Sequence, residues 1–349
     1  MNKNLKKLLM ATILTLGLLS GCSTAEAPVG ETPSGEAPDI TTEETTPETQ
    51  ETEAVDLSVM AMSGPTAMGM VSMMMENSAG HLTNHNYDFS IVNGIEEVTA
   101  QLVSGGVEIA AVPANVASIL YHNTEGGITV LGINTLGVLY IVENGNTITS
   151  IEDLAGKTIY ASGKGGTPEY ALNYILEANG LSDSVTVEWK SEQAEVVATI
   201  TAEENALAML PQPFATTAQK ANESMTTVLD LTEEWNKTDS EGMLITGVVV
   251  ARTAFVEENP HVIADFMENY EASVTFVQEN VPDAAALIEF YEIVSAEVAE
   301  AALPYCSITL IQGAEMKTAL TGYYEELLNQ NPASIGGSMP EDGFFYEGD

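Results

Sequence analysis

A glycine-rich loop at residues 160–172, YASGKGGTPEYAL, holds residue types that bind phosphates in nucleotide sites. A phosphate-binding P-loop requires the spacing G-x-x-x-x-G-K-[ST], in which the lysine and the hydroxyl open the helix beneath the phosphates. Here Lys164 precedes the glycine pair, and Thr167 is followed by Pro168. The spacing therefore argues against nucleotide binding and hydrolysis.

The same loop matches the start of a helix. Thr167 suits the N-cap, Pro168 the first helical position, and Glu169 the positive end of the helix dipole. Gly165 and Gly166 would let a ligand approach backbone N–H groups at that helix start. A plain strand-to-helix turn, in which glycine serves geometry alone, fits these residues equally well.

Other chemically capable residues give weaker signals. His81 and His85 are spaced like two metal ligands on a helix, but the glutamate of an H-E-x-x-H site is missing and their neighbours favour a solvated loop. Seven methionines at 60–75 could bind Cu(I), yet they coincide with a predicted strand and helix, which favours core packing. Cys306 lies in an apolar run without an activating neighbour, which predicts a buried thiol. We therefore expect no metal, cofactor or catalytic nucleophile.

From residue 55, strand-like and helix-like segments alternate. This order predicts an α/β fold with mixed, mostly parallel sheets and helices on both faces. Strands are predicted at 57–62, 87–92, 108–112, 128–133, 138–142, 158–161, 186–189, 206–210 and 244–251. Helices are predicted from after residue 66 to about residue 76, at 96–103, 113–121, 151–154 and 167–179, from residue 194, after residue 213, and at 260–280, 283–290, 295–302 and 316–328.

Several loops between a predicted strand and helix combine small, polar and turn-forming residues. They are Ser63-Gly64-Pro65-Thr66, Asn93-Gly94, Pro113-Ala114-Asn115 and Pro211-Gln212-Pro213. In an open α/β sheet, loops at the carboxyl ends of the strands surround the binding crevice. Their repetition favours a cleft lined by helix N-termini and loop hydroxyls.

The element order also predicts two lobes joined by two crossing segments. The chain builds one lobe, leaves it near residue 143, builds a second and returns near residue 243. Lobe 1 is predicted at 55–142 and 243–335, lobe 2 at 143–242, and a C-terminal tail at 336–349.

The first residues predict export. Three lysines precede an apolar run at 8–19, which is typical of a secretory signal at 1–21 and too short to span a membrane. The Leu-Ser-Gly-Cys order ending at Cys22 resembles a bacterial lipobox, in which the cysteine is acylated; ordinary cleavage beside an incidental cysteine is the alternative. Residues 22–54 are rich in Thr, Glu, Pro and Ala, with nine acidic and no basic residues, and predict a disordered tether.

The charge of the chain limits its partners. Ten basic residues stand against 51 acidic ones, for a formal charge of −41, and loss of the three signal lysines makes it −44. So acidic a protein is unsuited to nucleic acid or anionic lipid surfaces. Cys22 and Cys306 are the only cysteines, so acylation of Cys22 would leave no internal disulfide.

Three stretches carry a resemblance to a known family. They are SIEDLAGKTIYASGKGGTPEYALNYILEANGL (150–181), ALAMLPQPFATTA (206–218) and ITGVVVARTAFVEENPHVIADFMENY (245–270). They resemble substrate-binding proteins of ABC importers, in the branch that includes sulfonate-, nitrate- and thiamine-precursor-binding proteins. The resemblance implies a type II periplasmic-binding-protein fold: two hinged lobes close on a small solute. It also implies a monomeric, lipid-anchored, extracytoplasmic receptor, not an enzyme, that serves a permease and its ATPase.

The resemblance also implies which residues contact the solute. The cleft loops of the family fall on Ser63, Gly64, Pro65, Thr66, Asn93, Pro113, Ala114, Asn115, Thr135, Leu136, Gly137, Gly165, Gly166, Thr167, Gln212, Pro213 and Phe214. An enzyme on the same two-lobe fold, or a sensory or adhesion lipoprotein that has lost transport, is the alternative.

The chain departs from anion-binding members of the family because it has few cationic side chains for the cleft. Lys164 and Arg252 are the nearest candidates, and the position of Arg252 favours a surface ion pair. We therefore expect a neutral or cationic organic solute, with a flat ring stacked on Phe214, Tyr170 or Tyr121. Each of these aromatic residues is equally suited to the core.

Overall fold

The computed structural model describes residues 54–238, 240 and 242–348. The predicted signal, Cys22 and the predicted tether up to residue 53 lie outside the described residues. No helix in the described part of the chain is long and apolar enough to cross a membrane.

The described residues form two sheets flanked by helices. The strands are β1 (Asp56–Met62), β2 (Asn86–Val92), β3 (Ile109–Pro113), β4 (Ile128–Leu136), β5 (Leu139–Asn144), β6 (Thr158–Ala161), β7 (Thr186–Trp189), β8 (Leu207–Pro211), β9 (Met225–Asp230), β10 (Ile245–Arg252) and β11 (Ile308–Ile311). The helices are α1 (Pro65–Met68), α2 (Val71–Ser78), α3 (Ile95–Ser104), α4 (Ala114–Asn123), α5 (Thr167–Ala178), α6 (Gln193–Ala202), α7 (Phe214–Ala221), α8 (Leu231–Asn236), α9 (Thr253–Glu258), α10 (Pro260–Glu279), α11 (Val281–Phe290), α12 (Ala296–Ala302) and α13 (Gly313–Gln330). Short 3-10 turns occupy Ile151–Leu154, Leu303–Tyr305, Pro332–Ile335 and Asp342–Phe344.

The first sheet has the strand order β11-β4-β10-β3-β1-β2. β1 pairs in parallel with β2 and β3, whereas β10 lies antiparallel between β3 and β4, and β11 is antiparallel to β4. Helices α3, α4 and α13 pack on one face, and α1, α2, α10, α11 and α12 on the other. The apolar runs of β3, β4 and β10 are buried on both faces, as expected for central strands.

The second sheet has the order β7-β6-β8-β5-β9. β6 pairs in parallel with β7 and β8, and β5 runs antiparallel to β8 and β9. Helices α5 and α8 cover one face and α6 and α7 the other. Both sheets are therefore mixed. β10 in the first sheet and β5 in the second run antiparallel to the strands on either side of them, so parallel pairing is confined to the β-α-β parts of each sheet.

Two segments connect the sheets. The chain passes from β4 to β5 between Leu136 and Leu139, and from α8 to β10 between Asn236 and Ile245. The whole of β5 pairs within the second sheet, so the first crossing precedes residue 139.

Most predicted elements are confirmed, with two kinds of difference. Asn134, Thr135 and Leu136, expected as a loop, continue strand β4 because β10 and β11 pair with them. The elements β9, α8, α9 and β11 were not predicted, and the helix expected after residue 66 is divided into α1 and α2 at Gly69-Met70.

One hydrophobic core runs through both sheets on the side of α4, α5, α8 and α13. Trp235 of α8 and Tyr323 of α13 meet within it, with ring centroids 6.2 Å apart. On the opposite side each sheet has its own separate core. The two sheets are therefore fused on one side and separately packed on the other.

Candidate functional site

The strand ends of the two sheets face each other where the sheets meet, and we call this boundary the crevice. β1, β2, β3 and β4 point their carboxyl ends to one edge of the first sheet, since all four run in the same direction. In the second sheet, Leu139 at the start of β5 pairs with Pro211 at the end of β8, and Tyr140 pairs with Asp230 at the end of β9. Because only a two-residue connection separates β4 from β5, these carboxyl edges meet at the crossing.

Thr167 and Asn115 are brought together across this boundary. The Thr167 hydroxyl donates to Asn115 Oδ1 at 3.4 Å and lies 3.1 Å from the hydroxyl of Tyr323, which donates to it. Asn115 Nδ2 donates to the Ser334 carbonyl. All three side chains are at least 97% buried, and burial raises the pKa of Tyr323, so its hydroxyl stays protonated. This cluster joins the second sheet to the first.

The helix start at Thr167 differs from the prediction. Thr167 is the first helical residue and Gly166 is the N-cap, so the Thr167 side chain does not cap α5. Glu169 Oε2 instead accepts the Gly165 N–H at 2.6 Å. Gly165 has φ +82°, a left-handed conformation that glycine adopts without strain. Thr167 as N-cap is therefore wrong, because its hydroxyl is committed to Tyr323 and Asn115.

A second polar cluster lies in the first sheet, next to the loop that follows β1. Asn134 Nδ2 donates to the Thr66 carbonyl at 3.2 Å, and the Thr135 hydroxyl donates to Asn134 Oδ1 at 3.2 Å. The Thr66 hydroxyl donates back to the Met62 carbonyl. A Cβ on Gly247 would approach Asn134 Oδ1 and Thr66 to 2.6 Å. Glycine at this position lets β10 pass directly behind the cluster.

The remaining predicted residues of the first sheet lie at the ends of its strands, and of these Gly64 is buried. Gly64 has φ +120° and begins α1, with Pro65 as the first helical residue. The Ser63 N–H donates to the Val92 carbonyl, which ties this loop to the end of β2. Asn93 is exposed and Pro113 half-buried.

The loop after β8 contributes an amide and an aromatic ring. Gln212 Oε1 accepts the N–H and the hydroxyl of Thr216, so Gln212 caps the start of α7. Gln212 is buried, whereas Phe214, the first residue of α7, is 37% exposed. Phe214 is therefore available for stacking.

The other two aromatic candidates are placed differently. Tyr170 is buried, and its hydroxyl accepts from Asn331 Nδ2 at 3.4 Å. Tyr121 lies at the far end of α4, away from the crevice, and packs edge-on against Phe344 at 5.1 Å. Tyr121 as a crevice platform is therefore wrong.

The two basic candidates, Lys164 and Arg252, lie in different parts of the fold. Lys164 is exposed in the glycine-rich loop. Arg252 ends β10 at the edge opposite the crevice, opposite Ile128 at the start of β4. Its guanidinium lies beside Gly105, and no ion pair to Arg252 occurs among the described residues. The expected ion pair is wrong because α3, rather than an acidic side chain, meets the end of the strand.

The structure also tests the predictions for the two histidines, the methionines and Cys306. His81 is exposed, but His85 is buried and its Nε2 lies 2.9 Å from Asp265 of α10, so the expectation of a solvated loop is wrong for His85. Met60, Met68 and Met73 are buried in the two cores, as predicted. Cys306 is fully buried, which confirms the predicted buried thiol, and this burial raises its pKa to about 12. No group of three or more His, Cys, Asp or Glu side chains suited to a metal is present in the described chain.

Residues that sequence reasoning missed make further contacts between the parts of the chain that carry the two sheets. The Tyr140 hydroxyl donates to the Tyr305 carbonyl at 3.0 Å, and Lys220 of α7 pairs with Glu297 of α12 at 2.9 Å. Both contacts lie on the side where the two cores are separate. They could not be found from sequence because their partners are 165 and 77 residues apart with no local pattern.

Known structures share this architecture. A crystal structure of an ABC transporter from Parabacteroides distasonis is 21% identical with a TM-score of 0.71, covering 83% of this chain and 98% of that one. The periplasmic aliphatic sulphonate-binding protein SsuA from Escherichia coli is 13% identical with a TM-score of 0.67, covering 84% and 92%. The ligand-binding component of an ABC-type import system from Staphylococcus aureus, solved with zinc bound, is 13% identical with a TM-score of 0.65, covering 84% and 97%.

These likenesses define the class of fold as the two-lobed periplasmic-binding-protein architecture, as the sequence predicted. The NMT1/THI5-like family matches residues 72–285, which is more than half of the chain. The chain therefore belongs to the NMT1/THI5-like family, and the resemblance seen in the sequence is confirmed. No curated protein sequence matches it significantly.

Proposed function

We propose that the protein is the solute-binding component of an ABC importer. It captures a small organic solute in the crevice between two lobes and delivers it to a membrane permease driven by an ATPase. The observation that carries the proposal is that, in a chain of this family, the carboxyl ends of the strands of two sheets face each other and bring neutral hydroxyl and amide side chains together. Two of the structural neighbours named above, an ABC transporter and the ligand-binding component of an ABC-type import system, support it.

The proposed site comprises the residues that the family resemblance implied. They are Ser63, Gly64, Pro65, Thr66, Asn93, Pro113, Asn115, Thr135, Gly165, Gly166, Thr167, Gln212 and Phe214. The exposed and half-buried members, including Ser63, Asn93 and Phe214, contact the solute, whereas the buried members hold the crevice in shape. The lobes are divided at the two crossings, between residues 136 and 139 and between residues 236 and 245.

Binding without reaction fits the side chains at the crevice. Nucleophilic catalysis requires a nucleophile within hydrogen-bond reach of a base. The described hydroxyls of Thr66, Thr135 and Thr167 bond to carbonyl, amide or phenol groups instead. The protein accordingly acts as a receptor rather than as an enzyme.

The rest of the proposal concerns location. A signal at 1–21 exports the chain, acylation of Cys22 anchors it on the outer face of the cell membrane, and the acidic segment 22–54 tethers a monomeric receptor to that anchor. Two or three acyl chains give stable anchoring, whereas one gives only reversible binding.

The test is native mass spectrometry of gently purified full-length protein, followed by small-angle scattering. We expect a small molecule that leaves unchanged on unfolding and compacts the protein when added back. Release of a chemically altered molecule would favour an enzyme. If no molecule co-purifies and no solute supplied with the growth medium compacts the protein, the receptor proposal fails.

A further inference from the structure

Helix N-termini facing the crevice are the natural place for an anion, because their N–H groups and dipoles favour negative charge. In this protein several of these N-termini carry acidic side chains of the chain itself. Glu96 and Glu97 lie in the first turn of α3, and Glu169 accepts the Gly165 N–H ahead of α5. Glu195 of α6 accepts the Ser191 N–H. An anionic solute would compete with these groups.

In the helices that follow β8 and β9, side chains accept N–H groups of the first turn. Gln212 Oε1 accepts the Thr216 N–H of α7, and Asp230 Oδ1 accepts the Thr232 N–H of α8 at 2.7 Å. Asp230 is half-buried, and it ends β9 directly opposite Tyr140, whose hydroxyl bonds across to Tyr305. No ion pair joins Asp230 to a basic side chain among the described residues. Asp230 is thus a carboxylate at the crevice without a counter-ion.

Basic side chains offer little to an anion. All seven basic residues beyond the signal lie in the described chain. Lys157 and Arg252 lie at the edges opposite the crevice, and Lys220, Lys237 and Lys317 pair with carboxylates. Lys190 follows the edge strand β7 and stacks on Tyr160, which leaves the exposed Lys164 at the rim.

Two neutral groups lie near the same strand ends. The hydroxyls of Thr232 and Thr246 are buried and have no hydrogen-bond partner in the described chain. Thr246 lies on β10 between Ile245, which pairs with Leu136, and Gly247, which pairs with Pro113, and so stands at the crevice edge. Buried hydroxyls without partners are costly unless a ligand or water satisfies them.

Resting on the proposed function, we propose that the solute is an organic cation, such as a protonated amine or a quaternary ammonium, with Asp230 as its counter-ion. The Thr232 and Thr246 hydroxyls bond to its polar part, and the exposed ring of Phe214 offers a cation–π face. The overall negative charge of the protein favours the approach of such a solute.

The test uses three probes of similar size: choline, its neutral isostere 3,3-dimethyl-1-butanol, and the anion isethionate. Each is titrated calorimetrically, at millimolar concentrations, into the full-length acylated protein in detergent. We expect choline to bind more tightly than the neutral alcohol, and isethionate to bind most weakly.

The variant Asp230→Asn keeps an acceptor for the Thr232 N–H and should lower choline affinity about tenfold while leaving the neutral alcohol unchanged. Asp153→Asn is the matched control. Asp153 likewise caps a helical turn, accepting the Thr149 and Ser150 N–H groups, but it precedes β6 at the far edge.

Isethionate binding as tight as choline, an equal effect of Asp230→Asn on choline and the alcohol, or no binding of any probe would each overturn the assignment. Compaction by isethionate would overturn the charge class yet leave the receptor function intact. Failure of the receptor function is recognised separately, by the absence of a co-purifying solute and of compaction.

Discussion

Replacing Thr167 with valine should destabilise the protein by loosening the junction between the sheets. Valine keeps the shape of threonine but removes the hydroxyl that bonds to Asn115 and Tyr323. Both partners are 1% exposed, so the groups left behind cannot turn to water. Leaving a buried polar group unsatisfied costs about 1–3 kcal/mol. With about 2.1 cal/mol/K of unfolding entropy per residue over about 300 residues, that loss lowers Tm by about 2–5 °C.

The measurement is thermal unfolding of the full chain by circular dichroism. The matched control is Thr201→Val, an exposed threonine of α6 whose hydroxyl bonds to the Val197 carbonyl in the same helix. We expect its stability to change by no more than about 0.5 kcal/mol. A double-mutant cycle with Tyr323→Phe should show a coupling of about 0.5 kcal/mol or more. If Thr167→Val is as mild as the control, or the cycle shows no coupling, the cluster does not join the lobes.

Three further predictions test the loop, the thiol and the buried phenols. Gly166→Val should abolish binding of the co-purified solute. The fold should be preserved, because Gly166 has φ −120° and the nearest atom is 3.4 Å from a new Cβ. Retained binding would show that the loop is only a turn. Cys306, whose pKa is raised to about 12, should carry about a thousandfold less thiolate than an ordinary thiol at pH 8, so iodoacetamide should label it only after unfolding in urea. Burial raises the pKa of Tyr323 and Tyr324, which favours their protonated forms in the folded state. The free energy of unfolding measured in urea should therefore fall as the pH rises above about 10. A free energy that does not change with pH in this range would contradict the prediction.

The order of strands and helices could be predicted because most elements carry a clear apolar pattern. Strand β9 was missed because its residues Met225–Asp230 include two threonines and only two buried positions. The continuation of β4 through Asn134 and Thr135 was missed for a different reason. Both residues are polar, yet they are fully buried, since strands from distant parts of the chain pair on either side of them.

The loops at the crevice could be predicted from glycine, proline and hydroxyl residues that recur after strands. The partners of those loops could not. Tyr323 lies 156 residues from Thr167 in a helix whose buried stripe gives no sign that a hydroxyl is used for bonding. Glu169 was predicted to interact with the dipole of helix α5. Its carboxylate also accepts the N–H of Gly165, because the loop folds back on the first turn of the helix.

The acidic composition and the occupied helix N-termini have a common physical origin. With so few basic residues, most carboxylates cannot find a cation, and a helix N-terminus is the positive site that the backbone itself supplies. Asp153, Glu169 and Asp230 each accept a backbone N–H at such a position. Placing acids there stabilises the helices, but at the crevice it also uses up the donors that an anion would need. A protein stabilised in this way keeps hydroxyls, amides and carboxylates without a counter-ion, Asp230 among them, for its solute, and these groups select for positive charge.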